Sequence, residues 1–131
     1  RIHDKGGAEV TLPKDPAFKK MKMPLPLFQN LLALRFKKLD DENKGHALSY
    51  TFIREENSIT LLVRSIATKL PLCRVPNIPV PTLGISGGEL VDGIDLIWDT
   101  VRLKAAEMVV MYARDKLQEL GIDEDNVKGA L

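Results

Sequence analysis

Gly84-Ile85-Ser86-Gly87-Gly88 is the string in this chain that most resembles reaction machinery, because G-x-S-x-G is the spacing of a serine nucleophile at a sharp strand-to-helix turn. Such a serine needs a general base after it in the chain and a central strand before it. Both histidines, His3 and His46, precede Ser86, and the segment in front is rich in proline. The same hydroxyl has a simpler use. Ser86 followed three residues later by Glu89 is a capping box, in which the serine oxygen accepts an early backbone N–H of a helix. An anion held by the free N–H groups of that helix start is disfavoured, since Glu89 and Asp92 already answer the positive end of the dipole.

Metal chemistry finds no ligand set. One cysteine, Cys73, and two distant histidines offer no chelating spacing, and Asp123-Glu124-Asp125 lacks the glycine and terminal glutamate of a calcium loop. The reading is therefore of a protein that is not an enzyme and carries no cofactor.

The element behind Ser86 organises the chain. Leu90, Ile94, Ile97, Val101, Ala105, Met108 and Tyr112 recur at three- and four-residue steps, which predicts one helix from about 87 to 120, ended by Gly121. A second line, Leu96, Leu103, Val110 and Leu117, runs at seven-residue spacing on another side. Ala106, Ala113 and Leu120 extend it into a rough seam, and Asp99 interrupts it in the first heptad. A helix of this length spans roughly 50 Å, against a diameter of roughly 36 Å for a compact chain of this size. The second line is either further core or the seat of a partner helix, and the latter is the reading adopted.

The rest of the chain supplies strands. His46–Arg54 alternates Leu48, Tyr50 and Phe52 with small polar residues and predicts a strand. Residues 59–64 pair back as a hairpin, although Ser58 could also cap a helix there. Residues 27–39 fit either a helix begun by Pro24 and Pro26 or a strand, with the helix favoured, and 40–45 reads as a polar turn. Pro71 to Pro81 reads as a stiff connector, and its P-x-x-P at Pro76 and Pro79 lacks the flanking basic residue of a recognition motif. The expectation is an α+β fold: a basic amino-terminal arm over 1–26, in which Ala8 to Leu12 could add an edge strand, then one domain over 27–131 with a small antiparallel sheet packed on the long helix.

With 131 residues and 44% hydrophobic composition, the chain can bury a core. No apolar run is long enough to span a membrane. A single cysteine fits a reducing, intracellular compartment, and an opening Arg1 suggests a piece of something longer. Charge is uneven: residues 1–80 hold 14 Lys and Arg against 8 Asp and Glu, whereas 81–131 hold 5 against 10. This pattern predicts a non-catalytic assembly or adaptor domain that self-associates or meets a protein partner, by way of Leu96, Leu103, Val110 and Leu117 and the basic arm. The alternative is RNA or DNA binding, with Lys14, Lys19, Lys20, Lys22, Arg35, Lys37 and Lys38 on phosphates and Phe18 stacking.

Overall fold

The computed structural model describes residues 7–12, 22–44 and 47–121. They form β1 (Ala8–Glu9), α1 (Leu25–Glu42), β2 (Leu48–Arg54), β3 (Ser58–Ser65), β4 (Pro71–Pro79) and α2 (Gly87–Glu119). The strands make one sheet in the order β1-β4-β3-β2. β2, β3 and β4 are an antiparallel meander, and β1 joins β4 in parallel, so the sheet is mixed rather than purely antiparallel. The α+β architecture with a long carboxy-terminal helix against a small sheet is the one the sequence predicts.

Both helices cover one face of the sheet. From β2, β3 and β4, the residues Tyr50, Phe52, Ile59, Leu61, Val63, Cys73, Val75 and Ile78 meet Phe28, Leu32 and Phe36 of α1 and Ile94, Trp98 and Val101 of α2 in one core. Leu72, Ala105 and Met108 form a smaller cluster beyond it. Full burial of such side chains contributes about 1.5–3 kcal/mol each before chain entropy is subtracted. Phe36 sets its ring edge-on to Tyr50 and Phe52, with centroids 5.0 and 5.4 Å away, which fixes the tilt of α1 over β2.

Residues 71–81 are not a connector: Pro71–Pro79 is β4, second from the edge of the sheet. The prolines stand where a strand tolerates them. Pro71 and Pro79 occupy its two ends, opposite Arg64 and Ser58. Pro76 lies where the register slips between Ile59↔Ile78 and Leu61↔Val75, and Asn77 beside it takes a left-handed φ of 58°. The residues read as a polar turn, 40–45, are also partly helical, because α1 runs on to Glu42 before Asn43. Asn43 closes the helix by donating from both its backbone N–H and its side-chain amide to Leu39 O.

The amino-terminal segment is built into the fold at two places. β1 lies beside Cys73 and Arg74, and Met23 is buried with its N–H donating to Pro81 O at 2.8 Å.

Candidate functional site

α2 carries two faces of opposite character. Ser86 Oγ accepts the Glu89 N–H at 3.1 Å, as the capping box requires, and Gly121 ends the helix with a φ of 74°. Ile94, Trp98, Val101, Ala105 and Met108 are buried on the sheet side, with Leu90, Ile97 and Tyr112 at its margin. Ser86 is therefore employed as a helix cap. Both histidines lie outside the described residues. Among the described residues no group of three His, Cys, Asp or Glu side chains could hold a metal.

Among the described residues nothing covers the other face. Leu96 is 61% exposed, Leu103 71% and Val110 48%, while Leu117 is half-buried. Asp99, Ala106, Ala113 and Leu120 are exposed beside them. Val109 and Met111 add further exposed apolar surface around Val110. Tyr112 attaches α2 to the sheet, donating from its hydroxyl to Pro71 O at 2.6 Å. Past it the helix overhangs a groove of about 590 Å³ lined by Leu70, Leu72, Val109 and Lys116 among others.

Polar contacts lock this helix to α1 in a single azimuth. Arg35 forks onto Asp95, with Nε–Oδ1 at 2.7 Å and Nη2–Oδ2 at 2.8 Å. The hydrogen bonds to Asp95 raise the guanidinium's pKa and, conversely, Arg35 holds the Asp95 carboxyl below its ordinary range. One turn further on, Asp40 is buried and its Oδ1 accepts from Trp98 Nε1 at 2.8 Å and from the Tyr50 hydroxyl at 2.9 Å. Arg102 Nη1 stands 3.8 Å from the same oxygen, and its guanidinium lies 5.3 Å from the Trp98 ring centroid. Asp40 thus joins α1, β2 and α2. These contacts orient α2 so that Leu96 and Leu103 point away from its own domain. The sequence reading missed this hub. Its faint signal was that Asp40 continues the buried line Phe28, Leu32, Phe36 at a four-residue step, and Trp98 stands four after Ile94.

The basic residues do not gather into one free cluster among the described residues. Arg35 is taken by Asp95, Lys37 reaches Asp41 at 3.2 Å, and Lys38 approaches Glu42 at 4.0 Å. Lys22 bridges to Thr82 through its backbone. Lys14, Lys19, Lys20 and Phe18 lie outside the described residues. No helix among the described residues is long and apolar enough to cross a membrane. In comparisons with known proteins, no family model, no curated protein and no solved structure matches this chain.

Proposed function

We propose that this is a non-catalytic assembly domain that receives a helix of a protein partner along the outer face of α2. The observation that carries the reading is the exposure of Leu96, Leu103 and Val110 in one line at seven-residue spacing. A helix that only covers a sheet gains nothing from a second regular apolar line, and large apolar side chains exposed at heptad spacing are what a second helix packs against. The small residues Ala106 and Ala113 beside it let a second helix approach closely. Phosphate binding by the basic amino-terminal part has less support, since Arg35 is committed to Asp95 and Lys37 and Lys38 each approach a carboxylate one turn along α1.

The test is a photo-reactive residue in place of Leu103, with the same residue in place of exposed Asn30 as the control. A discrete covalent adduct from position 103, absent from position 30 and abolished by Leu96→Asp with Val110→Asp, is the expected result. No adduct, or one indifferent to those substitutions, would overturn the reading.

A further inference from the structure

The edge strand β2 has a free side whose hydrogen-bonding phase can be worked out. In an antiparallel ladder, residues alternate between those bonded to the partner strand and those whose N–H and C=O face away from it. At one end of the β2–β3 ladder the Glu55 N–H donates to Ser58 O at 2.9 Å. At the other end the Ile66 N–H donates to Ala47 O at 2.9 Å. Stepping inward by twos from either end gives the same answer: Ile53, Thr51 and Ser49 are bonded to β3. Leu48, Tyr50, Phe52 and Arg54 then direct their backbone groups outward. Among the described residues β2 has a strand neighbour on the β3 side alone, and Gln29 Nε2 donates to Phe52 O at 2.8 Å in the place an incoming N–H would take.

Among the described residues, the Gln29 amide is the one group set against pairing along this edge, and the strand itself carries few of the usual defences. Its register with β3 is unbroken from Leu48↔Ser65 to Arg54↔Ile59, it contains no proline, and its one charged residue, Arg54, stands at the end. α1 does not seal it, because a groove of about 500 Å³ opens between Ala33, Phe36 and Lys37 of α1 and Tyr50 and Phe52 of β2.

We infer that the occupant is a second copy of this chain, its β2 antiparallel to the first about a two-fold axis at Thr51, so that two sheets become one. The strand is self-complementary in that register. Tyr50 meets Phe52 of the other copy and Leu48 meets Arg54, so every outward backbone group finds a partner of matching phase. Thr51 faces its own counterpart on the open side of the sheet. The charges at the two ends agree with this orientation. Exposed Glu55 and Glu56 follow Arg54 at one end of β2. Exposed Lys44 and Lys69 stand at the other, where Asp41 is paired with Lys37. Antiparallel pairing therefore brings the net acidic end of each copy to the lysines of its mate. A parallel arrangement would set like ends together. Gln29 gives up Phe52 O to Tyr50 N–H of the second copy when the strands join.

Thr51 allows a test that few other surfaces would pass, because only a residue on the dyad meets itself. Thr51 is exposed, so Thr51→Glu and Thr51→Lys should keep the wild-type melting transition. Light scattering across a concentration series should show wild-type dimers, at least tenfold weaker association for either variant alone, and recovery when the two are mixed. Thr51→Cys should form a disulfide-linked dimer on mild oxidation, since facing residues of a non-bonded pair lie about 4.5 Å apart at Cα. Ser49→Cys should not, as its counterpart would stand about 13 Å away. A wild-type monomer at millimolar concentration would overturn the inference. So would association that ignores Thr51→Glu, or cross-linking through Ser49→Cys rather than Thr51→Cys. Association abolished by Leu103→Asp with Val110→Asp but kept in Thr51→Glu would overturn the strand dimer and leave the helix-docking function standing.

Discussion

Trp98 donates its indole N–H to Oδ1 of Asp40 across 58 residues of sequence, and that same oxygen takes the Tyr50 hydroxyl. A carboxylate so enclosed is favourable only while its donors are present, and the donors likewise depend on it. Asp40→Ala strands the buried Trp98 indole N–H and removes the acceptor of the half-buried Tyr50 hydroxyl, and we expect a loss of about 1–3 kcal/mol in denaturant unfolding. The double variant Trp98→Phe, Tyr50→Phe should cost more than the two singles added together, because each single leaves Asp40 Oδ1 one of these donors and the double leaves it neither. Strict additivity in that cycle would show that Asp40 does not couple them.

The two faces of α2 should respond oppositely to charge. Leu103→Asp with Val110→Asp places carboxylates in solvent and should shift stability by no more than about 0.5 kcal/mol each. Val101→Asp, at a fully buried position two residues before Leu103, should abolish the cooperative thermal transition. Circular dichroism melts of the two proteins settle the contrast, and unfolding of the Leu103/Val110 variant would return that stripe to the core.

Stability should fall in alkali for a defined reason. Burial pushes the Cys73 thiol up to about 11 against an ordinary 9, with Lys104 pulling weakly the other way. Burial, then the hydrogen bond to Asp40, also raises the Tyr50 hydroxyl above its ordinary 10. Both groups are held protonated in the fold, so the stabilisation is complete below pH 9 and is lost as the unfolded chain ionises first. Between pH 9 and 11 we expect Cys73 to contribute a decline of about 1.4 kcal/mol per pH unit. Cys73→Ala should flatten the profile between pH 9 and 10 while leaving the fall above pH 10 that comes from Tyr50. An unchanged slope would exclude the thiol as its source.

Ser86→Ala should cost about 1 kcal/mol, the worth of a helix cap, and Ser86→Asp should restore it. A nucleophile would tolerate neither change, so recovery of the melting temperature by aspartate separates the two roles.

Gly7 should not tolerate a side chain. Its φ is 100°, and a Cβ there would lie 2.6 Å from the Leu72 carbonyl carbon and 2.7 Å from its oxygen. Gly7→Ala should release β1 from β4, seen as faster amide exchange at Val10, whose N–H donates to Arg74 O at 3.0 Å. Exchange at Leu61 and Val63 should be untouched.

What could be read from the sequence was what local rules govern. The extent of α2 followed from a serine cap, a terminal glycine and an uninterrupted period, and the hairpin of β2 and β3 from alternation around Glu55–Asn57. β4 was lost because proline counts as a breaker until its position is known, and here each proline falls at a strand end or a register slip. The Asp40–Trp98–Tyr50 hub depends on three elements meeting, which no single window contains. Of the candidate interface, the seven-residue spacing was visible beforehand. Its exposure was not, since that depends on the angle at which Arg35 and Asp95 set the helix.

The parallel pairing of β1 with β4 is also the most non-local contact in the sheet, joining Ala8 to Cys73, and contacts of that kind are slow to form. Contacts between strands adjacent in sequence close short loops, whereas this one closes a loop of about half the chain. A polypeptide emerging from the ribosome would carry its opening segment unpaired until residues 71–79 were out. Until then the unpaired Ala8–Glu9 backbone would stand open to any other extended chain nearby.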